Sequence, residues 1–213
     1  MIPLTVHAPN LAHRTDRRAH LEAQFAGKPE FRLMIEPVVP NAAPSLSLWL
    51  TFQRIVRQER DAGSDLFIFC EDDHQFTPDY SWPFLQAAIA EADRLGADVL
   101  SGGVSWSGDA VQCSDHIFWL KGFNGMQFTV VFRRFYDALL QDHPKVSFVT
   151  DIRLSELSDN IFVTYPYLSV QREFGYSDVT PCNNPRGHVD WLFRTTREKF
   201  RILNKVRSYY QAL

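Results

Sequence analysis

Residues 65–74 read Asp-Leu-Phe-Ile-Phe-Cys-Glu-Asp-Asp-His, an apolar run that ends in three consecutive acids. A continuous apolar run of this length, behind a Gly-Ser-Asp turn, is typical of a short strand that is buried on both faces. In a parallel α/β sheet, ligands bind outside the carboxyl ends of the strands. The sequence therefore predicts a central strand at 65–70 and a functional site around Glu71, Asp72 and Asp73.

Strands and helices alternate along the rest of the chain. Residues 45–60 show the i, i+3, i+4 spacing of an amphipathic helix, and a second helix over 83–95 ends at Gly96. This alternation predicts an α/β fold with a mainly parallel central sheet flanked by helices. No internal repeat or linker interrupts it, so we expect one domain over residues 1–193. Further strands are expected at 2–8, 31–39, 98–103, 128–132 and 161–170, and further helices up to residue 25 and over 134–140 and 151–157.

The composition excludes several classes of protein. The 213 residues are 45% hydrophobic and include 17 Phe, 7 Tyr and 5 Trp, too much apolar material for a disordered chain. No run reaches the roughly 18 apolar residues of a membrane-spanning helix. A net charge of −3 gives no general attraction for nucleic acid. Three distant cysteines and an N-terminus without signal-peptide features predict a cytoplasmic protein without a disulfide framework.

The last twenty residues differ in charge from the rest. Residues 194–213 contain six Lys or Arg and one acid, a net charge of +5, which leaves −8 for residues 1–193. Phe200, Leu203, Val206 and Tyr210 recur at helical spacing, so the segment is predicted to be a basic amphipathic helix. Two interpretations stay open. The helix docks on the acidic domain, or it attaches the protein peripherally to an anionic membrane, where each nearby Lys or Arg contributes about 1 kcal/mol.

The three adjacent carboxylates at 71–73 repel one another, so their position at a strand end is costly unless a cation offsets the charge. Mg²⁺ and Mn²⁺ favour oxygen ligands, and Mg²⁺ is typically held by one or two carboxylates plus substrate phosphates. On a strand-like backbone, Glu71 and Asp73 point one way and Asp72 the other. We expect the first pair to hold a metal–diphosphate group and Asp72 to contact another part of the ligand or the protein. A solvated acidic turn is the alternative.

Two ordered motifs resemble the opening of a known enzyme family. Asn10-Leu11, Arg14 and Asp16-Arg17 follow the first predicted strand, and the Glu-Asp-Asp triplet follows the apolar strand at 65–70. In this order they resemble glycosyltransferase family 25, the lipopolysaccharide-biosynthesis and collagen-galactosyltransferase group. The resemblance covers roughly residues 4–180, but the family's Ser-His before the acidic strand is Ser47-Leu-Trp here. Later landmarks are Gly102-Gly103, Phe123-Asn-Gly125, Asp151-Ile-x-Leu-Ser155 and Gln171 with Ser177-Asp178.

The resemblance implies a GT-A-like fold and an inverting transfer of a hexose from a nucleotide-sugar donor of the UDP-sugar kind. The acceptor it implies is a saccharide or lipid-linked glycan, in lipopolysaccharide or cell-envelope synthesis. It also implies Mn²⁺ or Mg²⁺ as cofactor, with Asp73, Glu71 and, from the C-terminal part, His188 as ligands. Donor contacts are expected from Asn10, Arg14, Arg17, Glu71, Asp72, Gln171 and Asp178.

Asp151 is the predicted catalytic base, because an inverting transferase needs a carboxylate that takes the proton of the acceptor hydroxyl. Asp is also a good helix cap, and capping of the helix that begins here is the alternative role. Aromatic faces stack on sugar rings, so Trp106 and Trp119, together with Gly125, are the expected acceptor contacts. A role in the hydrophobic core is the alternative for at least one of these aromatic residues.

Other functions are compatible with the same acids. Phosphate-binding loops, dinucleotide fingerprints, HExxH zinc motifs and GxSxG elbows do not occur in the sequence. A metal-dependent nucleotidyltransferase or phosphoesterase remains an alternative, as does a non-catalytic glycan-binding protein of the same fold.

Overall fold

The computed structural model of the chain describes residues 2–143, 149–176 and 185–213. Its centre is an eight-stranded sheet in the order β2-β1-β3-β10-β5-β11-β8-β7. Two small two-stranded sheets pair β4 with β12 and β6 with β9. The strands are β1 Leu4–Pro9, β2 Phe31–Glu36, β3 Leu66–Phe69, β4 His74–Phe76, β5 Val99–Ser101, β6 Trp106–Ser107, β7 Ala110–Gln112, β8 Ile117–Leu120, β9 Phe123–Asn124, β10 Thr129–Phe132, β11 Ile161–Thr164 and β12 Ser169–Gln171.

Helices connect and cover these strands. Ser81 caps the third helix by accepting a hydrogen bond from the backbone N–H of Phe84, and Pro44 starts the second in the first-turn position that proline favours. The helices are α1 Thr15–Phe25, α2 Pro44–Asp61, α3 Trp82–Arg94, α4 Tyr136–Gln141 (after a 3₁₀ turn, Arg133–Phe135), α5 Thr150–Leu157 and α6 His188–Gln211.

The sheet is mixed, but one strand direction dominates. β10 is antiparallel to both of its neighbours, and so is β8, whereas the other six strands of the central sheet all run the same way. The predicted fold class, α/β with a mainly parallel central sheet flanked by helices, is confirmed.

Side chains alternate across the sheet and form a core on each face. In β3, Phe67 and Phe69 face one layer and Ile68 the other, as the two-residue period of a strand requires. The first layer is closed by α2, α4, α5 and α6, and the second by α1 and α3. The run at 65–70 is therefore a central strand buried on both faces, as its composition predicts.

The segment between β5 and β10 departs from the predicted pattern. Residues 106–124 form four short strands that the sequence pattern does not predict, and two of them, β7 and β8, form one edge of the central sheet. The expected extended segment at 161–170 is two strands, β11 and β12, separated at Pro166, which has no backbone N–H to donate to a ladder. Strands of two to four residues are too short to show a clear period of two.

The C-terminal helix is continuous with the domain. α6 begins at His188, so the boundary predicted between residues 193 and 194 lies inside this helix. Phe193 and Phe200 are buried in the first core layer, where the Phe200 ring packs edge-to-face on Phe118, 4.8 Å between ring centroids. Among the helices of the described ranges, none combines the length and the apolar character needed to span a bilayer.

One edge of the sheet gathers the ends of three neighbouring strands. β1 and β3 are parallel, so Pro9 and Phe69 end at the same edge, and the antiparallel β10 begins there, with Thr129 opposite Phe69. The residues that follow β1 and β3 and precede β10 therefore meet at this edge.

Candidate functional site

A cavity of about 320 Å³ opens at this edge of the sheet. Its polar floor comes from the loop after β1, the turn after β3, the start of α5 and the segment after β12, while Val38, Pro44, Leu48, Met126 and Val149 supply apolar walls. Many of the predicted site residues line it together: Arg14, Arg17, Glu71, Asp72, Asp73, Gly125, Asp151 and Gln171.

Asp72 holds three cavity-side residues in place. Its carboxylate accepts hydrogen bonds from Asn10 Nδ2 (3.0 Å) and from Arg17 Nη1 (2.9 Å), and Arg14 Nη1 lies 3.5 Å from it. Asn10 is buried behind the cavity, and Asp72 itself is 5% exposed. A buried carboxylate that is satisfied in this way mainly orients its partners. Of the two roles left open for Asp72, contact with the protein is the one that the geometry supports.

Arg17 is the most enclosed of the cations at the site. Its guanidinium bonds both Asp72 and Asp73 Oδ2 (3.2 Å) and lies 4.8 Å from the ring centre of Phe174 and 4.6 Å from that of Tyr176. Burial alone would lower the pKa of Arg17, but the negative charges of Asp73 and Asp72 raise it above its ordinary value. Arg17 therefore stays charged and compensates part of the acidic cluster.

The acidic triplet lies in a turn and not on a strand. β3 ends at Phe69 and residues 71–74 form a turn, so the strand-like alternation predicted for residues 71–73 is wrong, although all three acids line the same cavity. Arg17 instead joins Asp72 to Asp73, while Glu71 Oε2 accepts a separate hydrogen bond from Gln171 Nε2 (3.1 Å).

Two of these acids hold protons more tightly than usual. Burial raises the pKa of Glu71 well above its ordinary value, and the negative charges of Asp73, Asp151 and Asp72 add to the effect. Burial also raises the pKa of Asp73 to about 6, with Arg17 opposing the shift and Asp72 adding to it. A cation bound between Glu71 and Asp73 would offset the repulsion between the two carboxylates and lower the pKa of each.

Glu71 and Asp73 fit a divalent cation shared with a ligand. Asp73 Oδ1 is buried and accepts no hydrogen bond from any residue that the structure describes. Within the described ranges, no three His, Cys, Asp or Glu side chains are grouped closely enough to hold a metal on their own. Two carboxylates completed by substrate phosphates are the usual arrangement for Mg²⁺.

Asp151 has the environment of a general base. It is 7% exposed in the first turn of α5, where its Oδ2 accepts from the Gly125 N–H (2.6 Å) and its Oδ1 from the Ile152 N–H (3.0 Å). Burial raises the pKa of Asp151 to about 6, although these backbone hydrogen bonds oppose the shift. The helix cap position belongs to Val149, so the alternative of Asp151 as the capping residue is not what the geometry gives.

Gly125 shapes the wall beside Asp151. Its φ of +127° lies in the region that favours glycine, and a Cβ would stand 2.9 Å from Gln127 Oε1 and 3.3 Å from the Ser105 backbone nitrogen. Glycine therefore permits the backbone turn that aims this N–H at Asp151.

Three predicted site residues lie away from the cavity, and a fourth is not described by the structure. His188 stands at the start of α6 with its ring stacked near Trp191 and does not line the cavity, so the expected set of Glu71, Asp73 and His188 is not assembled here. Trp106 is half exposed outside the cavity, beside Gly122. The Trp119 indole N–H donates to the Asp159 carbonyl (2.6 Å), also away from the cavity. Asp178 lies outside the described residues.

The segment that follows β12 supplies site residues that the sequence analysis does not predict. Phe174 and Tyr176 enclose Arg17, and the Tyr176 carbonyl accepts from Arg17 Nη2 (2.7 Å). Glu173 accepts from the backbone N–H groups of Gly187 (2.6 Å) and Val189 (2.8 Å), which ties this wall to the first turn of α6. The run Glu173-Phe-Gly-Tyr176, two aromatic residues around a glycine directly after a predicted strand, is the signal that could have indicated this wall.

Comparisons with known proteins support the fold. No protein-family model and no curated protein match the chain. The crystal structure of A197 from STIV is similar to it, with a TM-score of 0.51 and 12% identity over 81% of this chain and 86% of that one. A UDP-glucose pyrophosphorylase complexed with UDP-glucose gives a TM-score of 0.48 at 10% identity, covering 93% of this chain and all of that one. A glycosyltransferase involved in glycosylation of the major capsid of PBCV-1 gives 0.42 at 9% identity, covering 78% and 94%.

The likeness to A197 concerns the fold alone, because only 12% of the aligned residues are identical. The other two scores are too low to support an argument. The resemblance to glycosyltransferase family 25 therefore stays a prediction.

Proposed function

We propose that the protein is a nucleotide-sugar-dependent glycosyltransferase that moves a hexose to a saccharide acceptor, with inversion at the sugar. The observation that carries this proposal is the position of Asp151. A buried carboxylate with a pKa of about 6 lines the same cavity as Glu71 and Asp73, and it is near enough to Glu71 to raise the pKa of that acid.

The donor end of the proposed site is acidic and bordered by arginines. Glu71 and Asp73 would hold a Mg²⁺ or Mn²⁺ ion together with the donor diphosphate, and Gln171 keeps Glu71 in position. When bound, such an ion stabilises the negative charge that develops on the departing nucleoside diphosphate. Arg14 lines the cavity and is the cation that we assign to a donor phosphate, while Arg17 bridges Asp72 and Asp73 and compensates their charge.

The acceptor end is organised by Asp151. At pH 7 a carboxyl group with a pKa of about 6 is mostly ionised, yet it is more basic than an ordinary aspartate. Its two backbone hydrogen bonds fix the carboxylate while leaving lone pairs for an acceptor hydroxyl. In the proposed reaction Asp151 takes the hydroxyl proton as the oxygen attacks the sugar, and the nucleoside diphosphate leaves from the opposite side.

The test is product analysis with a panel of nucleotide sugars, Mn²⁺ and saccharide acceptors, lipid-linked and cell-envelope glycans among them. We expect acceptor-dependent release of a nucleoside diphosphate, which falls by about 10²–10⁴-fold in Asp151→Asn. The matched control is Asp159→Asn, an exposed acid that pairs with Lys121 and does not line the cavity, which should retain wild-type rates. Transfer by Asp151→Asn at the wild-type rate would remove Asp151 as the base.

A nucleotidyltransferase is the second candidate. The acids and arginines in one cavity also suit attack on an α-phosphate, for which Asp151 would not be required as a base toward a sugar hydroxyl. Release of pyrophosphate from a nucleoside triphosphate and a sugar phosphate, without any saccharide acceptor, would favour this reaction over glycosyl transfer.

A further inference from the structure

The C-terminal helix α6 carries two apolar faces. One face is buried against the domain, where Phe193 and Phe200 are 4% and 0% exposed. The opposite face carries Trp191, Ile202 and Val206, each about half exposed, and Tyr209, 63% exposed. These four residues are eleven, four and three positions apart, close to whole numbers of helical turns, so they form one outer stripe. The outer stripe is interrupted by the polar Thr195 and Glu198.

Cations lie beside the outer stripe. Arg194 and Lys205 are exposed on one side of it and make no ion pair with any residue in the described ranges. Other basic residues of the helix are used to hold it on the domain, since Arg197 bonds Asp79 and Arg207 bonds Asp115 (2.6 Å). The outer face therefore combines unpaired positive charge with exposed aromatic and aliphatic side chains.

We propose that this outer face of α6 binds an anionic lipid bilayer. The helix would lie in the plane of the interface, with the stripe in the headgroup region and Arg194 and Lys205 against anionic headgroups. Docking on the domain and contact with a membrane are then not alternatives, because they use opposite faces of one helix. A second copy of the chain fits this face less well, because pairing would bring Arg194 and Lys205 of both copies to one interface.

Vesicle co-sedimentation of the full chain tests the proposal. Vesicles of phosphatidylcholine alone are compared with vesicles in which about a third of the lipid is phosphatidylglycerol, at low and physiological salt. One variant removes the stripe (Ile202→Ser with Val206→Ser and Tyr209→Ser) and a second removes the charges (Arg194→Gln with Lys205→Gln). The control is Met34→Ser with Val111→Ser, which removes exposed apolar side chains from β2 and β7 instead.

We expect wild-type protein and the control to bind the anionic vesicles and to release them as salt rises. The charge variant should bind about 25-fold more weakly, about fivefold for each cation, and the stripe variant should lose binding. The proposal is overturned if wild-type protein ignores anionic vesicles at low salt, or if both variants bind as wild type does. It is also overturned if light scattering without lipid shows a dimer that the stripe variant abolishes, because the face would then belong to a second copy.

Discussion

At the scale of single residues, the site depends on how buried charges are compensated. Asp72 and Asp73 lie against one guanidinium, that of Arg17, whose side chain is 6% exposed. The sequence motif predicts that Arg17 and the acids belong to one site, because each follows a parallel strand that ends at the same edge. It cannot predict that Phe174 and Tyr176 enclose Arg17, since that contact joins positions more than 150 residues apart.

Arg17→Ala tests this compensation. Removing the guanidinium takes the cation from the buried Asp73 and leaves Asp72 with Asn10 and the more distant Arg14, which should lower the free energy of unfolding by about 3–5 kcal/mol. The neighbouring Arg18→Ala is the control, because Arg18 is exposed and, among the residues that the structure describes, its ion pair is with Glu22 on its own helix, a contact worth less than about 0.5 kcal/mol. Urea denaturation at pH 7 measures both. Equal stabilities of the two variants would contradict the role assigned to Arg17.

The Asp151→Asn variant tests the raised pKa of Asp151, because that pKa makes the free energy of unfolding depend on pH. Between the ordinary pKa of 3.8 and the folded value of about 6, the folded protein keeps a proton that the unfolded chain has released. The wild-type protein therefore loses up to about 3 kcal/mol from this group as the pH rises from 4 to 8, and the variant does not.

Urea denaturation of both proteins at pH 4, 6 and 8 measures this difference. The stability of Asp151→Asn relative to wild type should rise by up to about 3 kcal/mol across the series. The measurements at pH 4 serve as the internal control, because residue 151 is then mostly neutral in both folded proteins. A relative stability that is independent of pH would show that the pKa of Asp151 is not raised by burial.

At the scale of elements, a clear apolar pattern separates what the sequence predicts from what it does not. α2 is recognisable because its apolar side chains recur at helical spacing over 18 residues, and β3 because it is a continuous apolar run. The strand-like alternation predicted for the acidic triplet fails because a turn begins at Glu71, two residues after the end of β3. The short strands of residues 106–124 have too few residues to repeat any pattern, so long-range pairing alone defines them.

Glu173→Gln tests the link between the cavity wall and α6. The carboxylate accepts backbone hydrogen bonds from Gly187, Val189 and Asp190, and the bond from Gly187 is the main reason that the pKa of Glu173 is lowered. A lowered pKa means that its contribution to stability is present above the ordinary carboxyl pKa and is lost as the pH falls. We expect a loss of about 1–2 kcal/mol near pH 7, as for other helix N-terminal acceptors.

Amide hydrogen exchange shows whether the stability lost in Glu173→Gln comes from the start of α6. The amides of Gly187, Val189 and Asp190 should exchange faster in Glu173→Gln than in wild type, and the difference should shrink at acid pH. Glu22→Gln, at an exposed glutamate of α1, is the matched control and should leave these amides unchanged. Unchanged exchange at the start of α6 in Glu173→Gln would mean that Glu173 does not hold this helix.

At the scale of the whole molecule, negative and positive charge are concentrated in different segments of the chain. The net −3 consists of −8 in residues 1–193 and +5 in residues 194–213. The acidic part includes the triplet at the cavity, and the basic part lies on a helix that is docked by one face. The positions of the charged residues in the sequence show this uneven distribution of charge. Only the fold shows that the acids of residues 71–73 share one cavity with Arg14 and Asp151.

The central claim is that Glu71 and Asp73 bind a nucleotide sugar together with a divalent cation, and thermal unfolding with a panel of nucleotide sugars tests it most directly. At a concentration of one hundred times the Kd, a ligand should raise Tm by about 5–10 °C. We predict this rise for at least one nucleotide sugar with Mn²⁺ or Mg²⁺, no rise in EDTA, and its loss in Asp73→Asn but not in the exposed control Asp137→Asn. The claim is contradicted if no nucleotide sugar raises Tm, or if the rise persists in EDTA and in Asp73→Asn.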